Sequence, residues 1–216
     1  MGFSEDEFIK TMKELENPEF SDYEFFVESH GVKVYRKYSE ESGLYQYKVI
    51  GEINVDPQIC ADVYMDLKYR KVWDSYAADL RYMCEEEPQI VYWQVAYPWP
   101  MSHRDYLYVR QKKVLTNAKG NTVYVVLGQS AKKEDLTDSS NVKEKSGVIR
   151  VDDFVQGISI TNSDNGGTRA FMHYYDNPKG SIPTWLINWA AKSGVPDFLS
   201  TMETACNGYK TYLNGL

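Results

Sequence analysis

The sequence predicts an α+β fold in which a large antiparallel sheet is combined with a few helices. Three observations support this prediction: a capped helix near the start, a long series of strand-like runs in the middle, and an amphipathic helical region at the end. Neither an internal repeat nor a linker rich in Gly, Pro or Ser divides the 216 residues. We therefore predict one domain over residues 1–216, a length at which a single unit buries a large core.

The first helix is predicted from its capping residues. Ser4 and Glu7 have the S-x-x-E spacing of a capping box, and Asn17-Pro18 provides an end signal. Apolar side chains follow at helical spacing between these signals: Phe8, Ile9, Met12 and Leu15.

A hairpin and two short helices are predicted next. Residues 31–38 and 44–55 have strand character and are separated by the polar turn SEESG. Asp56 is a suitable helix cap, and Pro57 suits the first position of the helix that follows. A second short helix is predicted over residues 69–76.

The second half of the chain is predicted to be mostly strands and to end in helices. Residues 130–146 are polar throughout and predict a mobile loop. The helical end is predicted in two parts, one beginning at Pro183 and one at Pro196, with Gly194 interrupting them. The predicted strands cover residues 90–98, 104–114, 121–130, 147–162 and 168–177.

Composition excludes several function classes. The net charge of -7 argues against nucleic acid as the main partner, because phosphate binding needs a basic surface. The start of the sequence lacks the pattern of a secretory signal, and no apolar run approaches the ~18 residues of a membrane span. Scattered cysteines, odd in number, predict reduced thiols and a cytoplasmic location: Cys60, Cys84 and Cys206.

Catalytic and metal-binding motifs are not recognisable in the sequence. His30, His103 and His173 are too far apart to form a local metal motif, so we expect no metal and no cofactor. No nucleophile elbow, phosphate-binding loop or Cys-His pairing is present. We therefore expect a protein that is not an enzyme.

Residues 91–110, VYWQVAYPWPMSHRDYLYVR, contain six aromatic side chains. In a strand that begins at Val91, Trp93 lies on the same face, and Tyr92 lies on the opposite one. One interpretation is an ordinary sheet core. The other is a cage of rings that binds a cation without hydrogen bonds to donate, such as a quaternary ammonium group.

Two further patterns each allow two interpretations. Arg70 and Asp74 are four residues apart on a predicted helix, so they form either a solvated surface pair or an inward arginine available to a phosphate. Trp185 and Trp189 lie one turn apart and suit either core packing or contact with a membrane interface.

Four segments together resemble the START family of lipid-transfer domains, and in particular its phosphatidylcholine carriers. The segments are YMDLKYRKVWDSY, VYWQVAYPWPMSHRDYLYVRQ, SGVIRVDDFVQ and DNPKGSIPTWLINWAAKSGVPDFL. The resemblance covers about residues 4 to 213. It implies a helix-grip fold, in which a curved antiparallel sheet wraps around a long C-terminal helix and encloses a tunnel for one lipid. The implied function is a monomeric cytosolic carrier that moves phosphatidylcholine between membranes through transient contact with their surfaces.

The resemblance also assigns roles to residues of the headgroup site. It places Trp93, Tyr106 and Phe154 in a choline cage, where Phe154 replaces the family's usual tyrosine. It assigns Arg70 to the lipid phosphate and Asp74 to the orientation of that arginine. Other positions near the headgroup are Tyr64, Val95 and Gln156. The remaining tyrosines of the aromatic stretch are expected to be ordinary packing: Tyr92, Tyr97 and Tyr108.

The terminal helix is the natural gate of such a tunnel. Its candidate residues are Trp185, Trp189, Gly194 and Pro196. Two other functions are considered beside the carrier. One is a lipid-sensing adaptor that regulates a protein partner such as a thioesterase. The other is an enzyme on a similar scaffold, which the absence of clustered catalytic residues disfavours.

Overall fold

A ten-stranded sheet forms the body of the protein in the computed structural model, which describes residues 2–137, 140 and 142–216. Its strands are β1 (Glu24–Ser29), β2 (Val32–Ser39), β3 (Leu44–Ile53), β4 (Ala77–Cys84), β5 (Gln89–Val95), β6 (His103–Thr116), β7 (Thr122–Ser130), β8 (Val148–Val151), β9 (Phe154–Asn162) and β10 (Thr168–Asp176). The helices are α1 (Glu5–Glu16), α2 (Pro57–Met65), α3 (Leu67–Trp73), α4 (Thr184–Trp189) and α5 (Val195–Asn214).

The sheet is curved and open, with the strand order β1-β2-β3-β10-β9-β7-β6-β5-β4. Neighbours along this path are antiparallel, whereas β8 pairs in parallel with the start of β6. The predicted α+β class is therefore confirmed. The two edge strands, β1 and β4, were not predicted from the sequence, because EFFVES is short and AADLRYMC lacks a run of β-branched residues.

Local sequence signals account for the first half of the fold. The predicted capping box is present, since Ser4 and Glu7 bond to each other's backbone N–H groups at the start of α1. The predicted hairpin is formed by β2 and β3. Asp56 caps α2 by accepting hydrogen bonds from the two backbone N–H groups of Gln58 and Ile59.

Helices pack on both faces of the sheet, and the alternating side chains of β7 contact the helices on each face. Val123 and Val125 of β7 pack with Phe8 of α1 on one face. Val126 lies on the opposite face and packs with α2 and with Met202 of α5. The space for a ligand lies on this second face, under the C-terminal helices.

The C-terminal helical region is continuous, which corrects the prediction that Gly194 interrupts it. Gly194 has φ −57 and ψ −50, both helical values, and the five residues Ala190–Gly194 form a π-helical turn that joins α4 to α5. Pro196 follows this turn directly, and because proline has no backbone N–H, it stands where the hydrogen-bonding pattern changes from the π-helical turn to α5.

Mobility of the polar loop over residues 130–146 stays a prediction, and the part that the structure describes makes several contacts with the sheet. Leu136 and Val142 pack against the buried Tyr92, and Lys133–Asp135 form a 3₁₀ turn. Lys145 Nζ lies 3.0 Å from Gln94 Oε1, which ties the end of the segment to β5. Asp138, Ser139 and Asn141 lie outside the described residues.

Within the described residues, no helix is both long enough and apolar enough to cross a membrane.

Candidate functional site

A cavity of about 840 Å³ lies between the sheet and the C-terminal helices. Its lining is mainly apolar and includes Val49 of β3 and Ile158 of β9 on the sheet, and Leu186, Phe198 and Met202 on the helices. Polar and aromatic side chains are concentrated where α3, β5 and the end of β10 meet the cavity. The size and lining suit an apolar ligand that carries one polar end.

Arg70 is the cationic side chain of this polar region. It lies on α3, lines the cavity and is 9% exposed, so the arginine faces inwards. Its Nε donates a hydrogen bond of 2.8 Å to Asp74 Oδ2, as the four-residue spacing allowed. The other carboxylate oxygen of Asp74 accepts a 3.0 Å hydrogen bond from the backbone N–H of Tyr76. Asp74 is thus fixed at both oxygens and holds the guanidinium in place.

The two terminal nitrogens of Arg70 receive no acceptor from any described residue. Instead, the guanidinium carbon lies 5.0 Å from the ring centre of Trp93 and 5.7 Å from that of Phe198 on α5. A guanidinium held between two rings, with one edge bonded and the others unbonded, is prepared for an anion with several oxygens, such as a phosphate.

The three residues predicted to form a choline cage are brought together. The rings of Trp93 and Tyr106 are stacked with 5.0 Å between their centres, and Tyr106 and Phe154 meet edge to face at 5.6 Å. Tyr106 and Phe154 lie on β6 and β9, which β7 separates along most of their length. Phe154 also meets Tyr108 of β6, with 5.3 Å between ring centres, beside Gly128 of β7, which has no side chain to separate the rings.

The cage residues differ in their access to the cavity. Trp93 and Phe154 line it, whereas Tyr106 is 2% exposed and, within the described chain, is not part of the lining. The Tyr106 hydroxyl donates a hydrogen bond of 2.6 Å to Asp176 Oδ2. Tyr174 of β10 does line the cavity, and its ring centre is 5.8 Å from that of Phe154.

The neighbouring tyrosines lie on both faces of the sheet. Tyr92 is buried on the far face, where its hydroxyl donates to Asp105, so it is packing as predicted. Tyr108 is also core packing as predicted, with 5% of its surface exposed, and both Tyr97 and Tyr108 line the cavity as well. Burial raises the pKa of Tyr97 to about 12, so its hydroxyl is neutral at physiological pH.

The other residues predicted near the headgroup also line the cavity: Tyr64, Val95 and Gln156. Burial raises the pKa of Tyr64 to about 12, and Gln156 provides a hydrogen-bond partner for this hydroxyl. Gln156 Nε2 also lies 3.0 Å from Met172 Sδ, so the amide is held from two sides.

The predicted gate residues occupy different positions. Trp189 and Gly194 line the cavity, and Trp189 packs edge to face on Tyr76 with 5.7 Å between ring centres. A Cβ atom at position 194 would lie 3.2 Å from the Trp189 ring, which explains a glycine there. Trp185 is 43% exposed and belongs to the outer surface. Pro196 begins α5 just after the π-helical turn.

Sequence reasoning missed three residues of the site: Phe198, Tyr174 and Asp176. Each lines the cavity. A signal was present for the last two, because Met172, Tyr174 and Asp176 alternate along β10 and share one face. An aspartate on the inward face of a strand is unusual and marks a functional position.

Metal binding finds no support in the described residues, which contain no group of three His, Cys, Asp or Glu side chains suited to an ion.

The START domain family matches residues 4–211, nearly the whole chain. This protein belongs to the START domain family. It is 48% identical over 213 residues to the phosphatidylcholine transfer protein of Bos taurus, covering 97% of this chain and 96% of the relative. The Homo sapiens phosphatidylcholine transfer protein is 44% identical over 212 residues, covering 96% of this chain and 95% of the relative.

A solved structure supports the fold. The crystal structure of human STARD10 superimposes with a TM-score of 0.75 at 19% sequence identity, covering 100% of this chain and 84% of that one. The predicted START fold is therefore confirmed for this family member.

Proposed function

We propose that this protein is a carrier that binds one phosphatidylcholine molecule in its cavity and transfers it between membranes. The observation that carries the proposal is the inward arginine, Arg70, whose two terminal nitrogens are unbonded by described residues inside an apolar cavity with aromatic rings beside it. The names of the two relatives described above support the same lipid. START domains in the family are lipid-transfer domains.

In this proposal the phosphate binds Arg70, which Asp74 orients, and the choline group binds the cage of Trp93, Tyr106 and Phe154. Tyr106 is proposed to support the cage from behind its lining, because its ring stacks on Trp93 and its hydroxyl donates to Asp176. Tyr64, Val95 and Gln156 are proposed to surround the headgroup; all three line the cavity.

The energetics favour selection by the headgroup. Burying each methylene of the acyl chains is worth about 0.8 kcal/mol relative to water, but the bilayer offers the same environment, so this contribution nearly cancels during exchange. A desolvated ring cage contributes about 2 kcal/mol, and a charge-assisted bond to phosphate about 1.5–3 kcal/mol. Exchange is then reversible while the headgroup decides which lipid is carried.

The proposed gate is the helical region from α4 to the start of α5. The C-terminal half of α5 is anchored: the Tyr69 hydroxyl donates to the Ala205 carbonyl at 2.9 Å, and the Tyr209 hydroxyl donates to Asp66 at 3.1 Å. Its N-terminal half covers the cavity. The exposed Trp185 is proposed to contact the membrane surface during exchange.

The proposal includes a cytosolic, monomeric protein without catalytic activity and without a cofactor. A protein partner such as a thioesterase stays a prediction that follows from the resemblance alone. Pull-down of partners with lipid-loaded and lipid-free protein would test it.

The experiment that tests the carrier measures phosphatidylcholine transfer from donor to acceptor vesicles by wild-type protein, Arg70→Ala and the surface control Arg81→Ala. We expect Arg70→Ala to lose about ten- to a hundredfold in transfer, because a charge-assisted bond is removed. Arg81→Ala should match wild type, since its side chain is 47% exposed. Native mass spectrometry of the protein purified from cells would identify the bound lipid directly.

Unchanged transfer by a folded Arg70→Ala protein would refute the phosphate assignment. Wild-type protein that transfers no phosphatidylcholine and carries another lipid class from cells would refute the function.

A further inference from the structure

Asp176 places a carboxylate at the aromatic end of the cavity. It is the last residue of β10, lines the cavity and is the cross-strand partner of Phe154 on β9. Directly paired residues of neighbouring strands point to the same face of the sheet, so the carboxylate and the Phe154 ring lie side by side. Tyr174, two residues earlier on β10, points the same way and packs on the same ring.

The carboxylate is held by tyrosine hydroxyls and has no ion-pair partner among the described residues. The Tyr106 hydroxyl donates to Oδ2 at 2.6 Å, and the Tyr174 hydroxyl also interacts with the group. No described Lys, Arg or His nitrogen lies within 4 Å of it. Burial raises the pKa of Asp176, while the hydrogen bonds from Tyr106 and Tyr174 and the charge of Arg104 oppose this shift.

The charge of Arg104 acts on this carboxylate, but its guanidinium is already engaged. Its Nε donates to the Pro178 carbonyl at 3.0 Å, its Nη1 to the Ser102 carbonyl at 2.6 Å and its Nη2 to the Lys179 carbonyl at 3.1 Å. Its guanidinium also lies 4.6 Å from the ring centre of Tyr97. Arg104 therefore fixes the loops beside the cavity and does not pair directly with Asp176.

A buried carboxylate without a counter-ion is costly unless a cation reaches it. The faces of Phe154 and Tyr174 next to Asp176 suit a cation that cannot donate hydrogen bonds. We propose that Asp176 is the anionic partner of the lipid's quaternary ammonium group and determines the preference for a cationic headgroup. This inference rests on the proposed function and adds a residue to its headgroup site.

The proposal makes the headgroup site complementary to a zwitterion. Arg70 and Asp74 form one ion pair, and the unbonded edges of Arg70 face the phosphate. Asp176 then faces the positive end of the same headgroup. A bound quaternary ammonium group in turn favours the ionised form of the carboxylate. A lipid with a phosphate but a neutral end would leave Asp176 unpaired and be disfavoured.

The experiment compares two lipids of nearly identical shape in the vesicle transfer assay. One is phosphatidylcholine, and the other is phosphatidyl-3,3-dimethylbutanol, in which a neutral carbon replaces the ammonium nitrogen. The proteins are wild type, Asp176→Asn and the control Asp153→Asn, whose exposed carboxylate lies on the same end of the molecule and bonds to Tyr175 outside the cavity.

We expect wild type and Asp153→Asn to prefer phosphatidylcholine over the carbon isostere by at least about tenfold, from the cage and the carboxylate together. Asp176→Asn should lose about tenfold in phosphatidylcholine transfer while its transfer of the isostere stays within about twofold of wild type. Asparagine keeps the shape, and its oxygen still accepts the Tyr106 hydrogen bond, so the main change in the variant is the loss of the charge.

Three outcomes overturn the inference. Asp176→Asn that keeps the wild-type preference shows that the carboxylate does not select the headgroup. Equal transfer of the two lipids by wild type also shows that the carboxylate does not select the headgroup. This result needs no variant, so it tests the inference even where Asp176→Asn does not fold. Wild type that transfers neither lipid overturns the proposed function itself. The first two leave phosphatidylcholine transfer intact, so the failures are distinguishable.

Discussion

Arg70 and Arg110 are both buried beside the cavity, yet their guanidinium groups are used differently. Arg110 donates from all three of its nitrogens: Nε to Gln89 Oε1 at 3.1 Å, Nη1 to the Tyr64 carbonyl at 3.4 Å and Nη2 to the Met65 carbonyl at 2.9 Å. Arg70 donates from Nε alone. A buried arginine whose donors are all bonded to protein joins elements of the fold, whereas one with unbonded donors in a cavity is a binding group.

The largest expected effect comes from the bonded arginine. Arg110→Met removes the side-chain donor to Gln89 Oε1 and to the Tyr64 carbonyl, and one of the two donors to the Met65 carbonyl, so we expect the free energy of unfolding to fall by about 3–5 kcal/mol. Urea denaturation followed by circular dichroism measures this. The matched control, Arg81→Met, should change stability by no more than about 0.5 kcal/mol. Equal stabilities of the two variants would contradict the structural role of Arg110.

The double variant Arg70→Gln with Asp74→Asn tests whether Arg70 serves lipid binding and not the stability of the fold. Replacing both members of a buried ion pair is often nearly neutral for stability, so the fold should be retained. The free energy of phosphatidylcholine binding should become less favourable by about 1.5–3 kcal/mol, so transfer should fall about ten- to a hundredfold. Vesicle transfer and urea denaturation on one preparation separate the two effects. A loss of stability as large as that of Arg110→Met would make Arg70 structural as well.

Asp176→Asn should have a smaller effect on stability, and one of opposite sign. Burial raises the pKa of Asp176 in the folded protein, so the folded state binds more protons than the unfolded state between the ordinary and the raised pKa. Stability from this group is therefore present at low pH and lost as the pH rises through that window. The variant should be more stable than lipid-free wild type at pH 7, with the gain vanishing below the ordinary aspartate pKa. Urea denaturation at both pH values measures this, and destabilisation at pH 7 would contradict it.

Phe154→Tyr is expected to produce the smallest change. Restoring the tyrosine that the family usually has adds ring quadrupole strength worth about 0.5 kcal/mol or less, so transfer should be kept or rise by no more than about twofold. The transfer assay with phosphatidylcholine checks this. A marked fall in lipid binding would show that the choline group does not bind at Phe154.

Local signals explain how much of this molecule the sequence could predict. Capping residues set the ends of α1 and α2, and strand alternation correctly separated Trp93 from Tyr92. The spacing of Arg70 and Asp74 allowed their ion pair but did not reveal burial, because both faces of a short helix have the same spacing.

Features that depend on distant contacts could not be predicted in this way. The meeting of Tyr106 with Phe154 joins two strands, β6 and β9, that are not neighbours in the sheet. The continuity of the helix through Gly194 follows from a π-helical turn packed by the Trp189 ring, whereas glycine alone indicates a break. Alternation along β10 indicated an inward aspartate, but the contacts of Asp176 with Tyr106 of β6 and Phe154 of β9 are long-range and carry no local signal.

In the proposed gate, the hydrophobic effect keeps the unanchored first half of α5 closed over the cavity. Moving the first half of α5 outwards in solution would expose Val195, Phe198 and Leu199, which now line the cavity, and this exposure is unfavourable. At a bilayer the same side chains exchange one hydrocarbon environment for another, and the penalty disappears. In the proposed gating, the apolar side chains that retain the lipid in transit are also the ones that release it at the membrane, so opening would require no signal other than the membrane.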